Sequence, residues 1–330
     1  MRRTVKRFFM VTGFLGLWIF LVQSTYLANV IAQDFPAKPI DFIINYSAGG
    51  STDLACRAFI NAANKHLPQP LIPINKPGGG GAVSAMAIMT AKPDGYTIGS
   101  ITPAIAFVTP FSEEAPFKDL SGFSWIVNFG SYVYPLMVRA DAPWKNWNEF
   151  IEWARKNPRA AKIGSTQAKK SDTKGLILWQ IEKRENVEFT FLVFKGGSDI
   201  YTALLGGHIN MSTASGDATL MSYVKEGKFR FLAFMGPHKV PGYEGLPCTS
   251  ELKGFEVPDL LAIVGPKGIP DYIVKKLEDV FAKAVKDPDF IEVMSRLHMP
   301  VMYMDRATLM KHVEKTFSNF SKIYERVKAE

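Results

Sequence analysis

The nine residues Asn45 to Asp53, NYSAGGSTD, follow the apolar run IDFII and place two bare glycines before two hydroxyls and an acid. Glycine lets the main chain turn where a Cβ would obstruct it, and Ser51, Thr52 or Asp53 can cap a helix running on to His66. A strand ending in such a turn leaves backbone N–H groups unpaired at the positive end of a helix dipole, which is the chemistry of anion binding. An ordinary strand-to-helix turn has the same composition, so this stretch alone leaves both readings open.

Four further stretches repeat the pattern. NKPGGGGA, Asn75 to Ala82, could cradle a nucleotide, but it matches neither G-x-G-x-x-G nor G-x-x-x-x-G-K-[ST] and has no acid for a ribose. A flexible turn, or the second wall of a small-ligand cleft, fits it better. In KIGSTQAKKSDTKG, Ser165 and Thr166 end a strand, Ser171 is the expected cap of the next helix, and Lys169, Lys170 and Lys174 crowd that helix start. Cations there oppose the helix dipole at a cost of a few tenths to ~1 kcal/mol each. A bound anion would offset that cost; a solvated charged face is the other reading. FKGGSD, with Lys195, Gly196 and Gly197, and TASGDA, with Ser215 and Asp217, are strand ends of the same kind. Four ends so equipped suit a site shared between two lobes.

Signatures of catalysis are missing. The sequence contains no G-x-S-x-G, H-E-x-x-H or C-x-x-C, and His66, His208, His238, His298 and His312 have no partner at metal-ligand spacing. No pair of acids is marked as general acid and base. Trp144, Trp147 and Trp153, with Tyr132 and Tyr134 before them, read as core or hinge packing rather than a sugar platform.

These loops need strands to end and helices to begin where they do. Strands are expected at 40–45, 71–75, 97–101, 133–138, 162–165, 189–194, 209–213, 229–234 and 260–265, most of them continuous apolar runs of the kind covered on both faces. Helices are expected at 52–66, 81–91, 148–156, 172–186, 199–205, 217–226, 270–285 and 307–328. The last is amphipathic, with Leu309, Val313, Phe317, Phe320, Tyr324 and Val327 at spacings of three and four, and Asp305 is its expected cap. Strands alternating with helices give an α/β fold. Two Pro-containing crossings, near 135–143 and 258–266, divide it into a first lobe of 33–138 and 258–330 and a second of 139–257.

The N-terminus reads apart from the fold. Arg2, Arg3, Lys6 and Arg7 precede the apolar segment Phe8–Val22, and Val30-Ile31-Ala32 is a small-residue cleavage signal, so 1–32 is expected to be a signal peptide, with an uncleaved anchor as the alternative. Either implies export. Without 1–32, Lys+Arg falls from 39 to 35 against 31 acids, and the net charge from +8 to +4. That balance is too mild for nucleic acid but suits capture of small anions. Cys56 and Cys248 are the only cysteines, expected to be two buried thiols rather than a disulfide framework.

Taken in order, the stretches resemble the substrate-binding proteins of tripartite tricarboxylate transporters, the Bug-type periplasmic receptors. FPAKPIDFIINYSAGGSTDLACRAF is similar to their opening, a P-x-K-P-I start, an apolar strand, a loop ending G-G-S-x-D and a helix with an Arg, here Arg57. INKPGGGGA, KPDGYTI, FKGGSDIYTALLGGHIN, VKEGKFRFLA and VGPKGIP keep the family order, so that the resemblance covers roughly residues 35 to 330.

The resemblance implies a two-lobed type II periplasmic-binding (Venus flytrap) fold that closes on an organic carboxylate held by loop amides, hydroxyls and water. It implies delivery to integral membrane transporter subunits, no enzymatic activity, no metal or cofactor, and a monomer in the periplasm. A sensor subunit for a membrane histidine kinase and a periplasmic enzyme are the rival readings. On this resemblance the first-lobe contacts are Tyr46, Ser47, Ala48, Gly49, Gly50, Ser51, Thr52, Asp53 and Thr102, with Gly49 and Gly50 supplying unobstructed amides. The second-lobe contacts are Ser165, Thr166, Lys170, Ser171, Lys174, Lys195, Gly196, Gly197, Ser215 and Asp217. The chain departs from the family pattern at Lys170, in place of a glycine, and at Lys174, in place of a histidine. It departs again at Asn45, where Pro is frequent, and at Cys248, within a usual Val-Pro-Thr run.

Overall fold

A computed structural model describes residues 35–166, 172–214, 218–236, 238–240, 242–248, 251, 257–258 and 260–329. The expected signal segment, and Lys169, Lys170, Ser171, Ser215 and Asp217, lie outside the described residues.

The first sheet has the order β2-β1-β3-β10-β4, with β1 Ile40–Ile44, β2 Leu71–Asn75, β3 Thr97–Ile101, β4 Phe123–Gly130 and β10 Leu261–Pro266. β1 runs parallel to β2 and β3, whereas β10 is antiparallel to β3 and β4. Side chains alternate across β1: Ile40, Phe42 and Ile44 enter one core and Ile43 the other, as a strand buried on both faces requires. Helices α1 (Ser51–Asn64), α8 (Asp271–Ala284) and α9 (Pro288–Arg296) cover the first face, where Phe59 meets Phe129 at 4.6 Å between ring centroids. The other face is covered by α2 (Ala82–Met89), α3 (Pro103–Phe107) and α10 (Arg306–Lys328), which Asp305 caps through the Thr308 N–H at 2.8 Å.

The second sheet repeats the plan with the order β7-β6-β8-β5-β9, formed by β5 Tyr134–Arg139, β6 Ala161–Ser165, β7 Phe189–Val193, β8 Met211–Ser212 and β9 Phe229–Met235. Helices α4 (Trp147–Lys156) and α5 (Thr173–Glu185) cover one face; α6 (Gly197–Leu205) and α7 (Ala218–Lys225) stand on the other side. Trp144, Trp147 and Trp153 pack in the α4 side of this core. Each lobe is a three-layer α/β unit.

Two features differ from the sequence reading. β5 pairs along its length with β9, from Tyr134↔Met235 to Arg139↔Phe229, so the chain enters the second sheet before the expected boundary at Val138. β4 is a further strand. Asn128 interrupts its apolar run, but its amide donates to Gly130 O and Met302 O and accepts from Leu261 N–H, tying down the irregular pairing of β4 with β10.

The lobes touch through α5. Leu176 and Trp179 leave their own lobe and pack in the first-lobe core with Phe107, Phe320 and Tyr324. Cys56 and Cys248 are buried and not joined in a disulfide. No described helix is long and apolar enough to cross a membrane.

Candidate functional site

β1, β2 and β3 are parallel, as are β6, β7 and β8, so each sheet sends several carboxyl ends to one edge. In open α/β sheets ligands lie beyond such ends. A cavity of about 220 Å³ lies there, between Tyr46, Ser51, Thr52 and Thr102–Ala104 of the first lobe and Thr166 and Asp172–Lys174 of the second, with Tyr132 and Tyr134 from the crossing.

The first-lobe wall is a helix start without a side-chain cap. Gly50 occupies the N-cap of α1, and the first intrahelical bond is Leu54 N–H to Gly50 O at 2.9 Å. The N–H groups of Ser51, Thr52 and Asp53 precede that bond, so the helix offers them no acceptor and its dipole favours an anion. Two hydroxyl pairs flank them, Tyr46 Oη with Thr102 Oγ1 at 3.1 Å and Tyr132 Oη with Thr52 Oγ1 at 2.6 Å. Burial raises the pKa of Tyr46, Tyr132 and Tyr134, so the phenols stay protonated and able to donate. The Tyr132 and Tyr134 rings are stacked, 6.0 Å apart and 7° from parallel.

The second-lobe wall is the start of α5. Asp172, not the expected Ser171, is its N-cap, and its Oδ1 accepts from Gly175 N–H at 2.7 Å. Lys174 is buried within the first turn, with Nζ 3.8 Å from Asp172 Oδ2 and 5.9 Å from the Tyr134 ring centroid. Burial lowers the Lys174 pKa, opposed by Asp172, and raises that of Asp172, opposed by Lys174 and the Gly175 amide. Both groups move toward neutrality, so at this distance mutual attraction does not make up for lost hydration. The solvated-face reading of Lys174 is excluded by its burial.

The loop between β1 and α1 differs from expectation. Gly49, at φ +86°, needs its missing Cβ, but its N–H donates to Asp53 Oδ2 at 2.9 Å and is not an open donor. Gly50 has φ −76°, and an added Cβ would meet nothing closer than Ser47 O at 3.6 Å. The Asp53 carboxylate is also spent, on Arg57 Nε at 2.9 Å and Asn75 Nδ2 at 2.8 Å. Burial works against its ionisation, yet the hydrogen bonds from Asn75, Gly49 and Arg57 outweigh that and hold its pKa below the usual carboxylate value. Asn45 links Ser84 and Ser100 by buried hydrogen bonds of 2.8 and 2.5 Å. In the glycine run, a Cβ on Gly81 would stand 2.4 Å from Ile105 Cδ1, so that glycine serves the approach of α3.

Of the expected contacts, Tyr46, Ser51, Thr52, Thr102, Thr166 and Lys174 share the cavity. Ser47, Ala48, Gly49 and Gly50 are exposed on the loop outside its lining, Asp53 and Ser165 are buried behind it, and Lys195, Gly196 and Gly197 lie at the exposed start of α6. Pro103, Ala104, Asp172 and Thr173 line it without having been expected as contacts, and so do Tyr132 and Tyr134, which the sequence reading assigned to core or hinge packing. For Tyr132 and Tyr134 the alternate spacing was the signal, since residues two apart in extended chain share a face. Among the described residues no cluster of His, Cys, Asp or Glu could hold a metal ion.

The model of the tripartite tricarboxylate transporter family receptor matches residues 55–328. The chain belongs to that receptor family. A protein of Cupriavidus necator named "UPF0065 protein in gbd 5'region" is 33% identical over 301 residues, covering 91% of this receptor and 90% of that protein. A TctC solute-binding protein from Polaromonas, solved without ligand, is 27% identical with a TM-score of 0.73, covering 88% of this chain and 99% of that one. MatC from Rhodopseudomonas palustris, solved with malate, shares the receptor's fold at 20% identity and TM-score 0.71, over 88% of this chain and 100% of that one. The two sheets and the cavity between them therefore belong to the two-lobed fold of periplasmic solute-binding proteins.

Proposed function

We propose that this receptor is exported to the periplasm, captures a small organic carboxylate between its closing lobes and presents it to integral membrane subunits of a tripartite transporter. The observation that carries the reading is the pairing of two anion-seeking surfaces across one cavity, the uncapped start of α1 and the buried ammonium of Lys174. Family membership supports the transporter partner. MatC shares only the fold, so the ligand class rests on the chemistry of the cavity itself.

The energies are adequate. Micromolar affinity needs about 8 kcal/mol, and hydrogen bonds to charged groups contribute roughly 1.5–3 kcal/mol each before ordering costs. Four or five such bonds suffice, and the cavity draws its polar groups from both lobes. On this reading opening and closing is the whole of the work.

A thermal-shift screen of the mature chain against mono-, di- and tricarboxylates tests the proposal. A ligand at 100 times its dissociation constant adds ~2.7 kcal/mol of apparent stability. A full screen without any shift would remove the carboxylate reading, and turnover of a hit would replace the receptor with an enzyme.

A further inference from the structure

The two charged groups at the start of α5 are poorly satisfied by the protein. Asp172 is 6% exposed and Lys174 9%, yet Nζ to Oδ2 is 3.8 Å, beyond the ~2.7–2.9 Å of a charge-assisted hydrogen bond. Oδ1 of Asp172 is occupied by Gly175 N–H, whereas among the described residues nothing donates to Oδ2. Thr173 Oγ1, between the two, is buried without a hydrogen-bond partner. A separated, buried pair has lost water without gaining the bonds that compensate for it. A molecule that accepts from Nζ and donates to Oδ2 satisfies both groups at once.

Resting on the carboxylate reading of this cavity, we infer that the ligand is a small acid with a proton donor, hydroxyl or ammonium, on the carbon beside the carboxylate, and that Asp172 selects for it. The carboxylate takes Lys174 Nζ, and the neighbouring donor takes Asp172 Oδ2. An unsubstituted acid leaves Oδ2 buried with nothing to accept. A second carboxylate brought to the same place meets a like charge. Asp172 is thus a specificity residue rather than part of the anion grip. The remainder of the ligand faces Ser51, Thr52 and Tyr46, and the 220 Å³ volume limits it to a few carbons.

Calorimetric titration of the mature chain with two matched sets tests this: propionate, lactate and alanine, and succinate, malate and aspartate. The donor-bearing acids of at least one set are expected to bind ten-fold or more tightly than its unsubstituted member, and lactate against alanine, or malate against aspartate, tells hydroxyl from ammonium. Asp172→Asn keeps an oxygen for the Gly175 amide but removes the charge. It should cut the advantage of an ammonium acid ten-fold or more, and that of a hydroxy acid less. Equal affinities across both sets in the native chain overturn the inference while leaving carboxylate binding intact, and this comparison needs no variant to fold. Preferences unchanged in a folded Asp172→Asn also overturn it. Failure of all six acids to bind overturns the inference, and the carboxylate reading then falls only if the full thermal-shift screen is also silent.

Discussion

Tyr132 Oη and Thr52 Oγ1 are 2.6 Å apart, so a residue of the chain crossing between the lobes is hydrogen-bonded to the first turn of α1. The bond joins the crossing between the lobes to a helix turn that lines the cavity. Tyr132→Phe leaves the 5%-exposed Thr52 with one partner fewer and is expected to destabilise the fold by about 1–3 kcal/mol. A urea midpoint equal to that of the native chain would show that water replaces the phenol at no cost.

Lys174 should make carboxylate affinity fall at alkaline pH. Its pKa is lowered by burial, so the ammonium is lost below the ~10.4 of a solvated lysine, and the anion loses its partner as pH rises through that lowered value. The neighbouring phenols, raised by burial, remain neutral across this window. Lys174→Gln should weaken binding roughly 10- to 150-fold, the equivalent of a charged hydrogen bond of about 1.5–3 kcal/mol, and should flatten the alkaline limb. Calorimetry from pH 7 to 10 reads both effects, and a limb that persists in Lys174→Gln would assign it elsewhere.

Asp53 gives the opposite pH signature, in stability. Its folded pKa lies below the unfolded value, so its contribution is fully present above the unfolded pKa of ~3.9 and is lost as pH falls through the folded one. Asp53→Asn should therefore destabilise at pH 6 and do so progressively less below pH 4. Urea midpoints of both proteins at pH 3 and pH 6 decide it; a constant gap would mean that the carboxylate charge is irrelevant to the loop.

Gly49 and Gly50, adjacent and identical, should respond differently. Valine at Gly49 must adopt φ near +86°, a strained region for a β-branched residue, at a cost on the order of 1–3 kcal/mol. Alanine at Gly50 meets only ordinary contact and should fold as the native chain does. Equal thermal shifts for the two variants would count against this loop conformation.

Much of this architecture was legible because it is local. Continuous apolar runs gave strands such as Leu71–Asn75 and Thr97–Ile101 their bounds, and Asp305 was recognisable as a cap three residues before the amide it serves. What stayed hidden depends on long-range partners. Asn128 looks like a strand breaker until Met302, 174 residues on, accepts from its amide. Asp53 looks like a ligand contact until Asn75, 22 residues away, claims it. Ser171 and Asp172 are both good caps by composition, and only the 2.7 Å bond to Gly175 decides for the acid. The site was readable as a set of strand ends; which donors the protein keeps for itself was not.

One helix carries both the polar contacts and the lobe contact. Asp172 and Lys174 stand at the start of α5, and Leu176 and Trp179 follow within two turns, seated among Phe107 and Phe320 of the opposite lobe. A helix transmits displacement along its axis as a stiff rod, so on the proposed reading a ligand held at the first turn also bears on the apolar seat of the next. On the proposed reading, filling the cavity and tightening this seat would be one movement, not two.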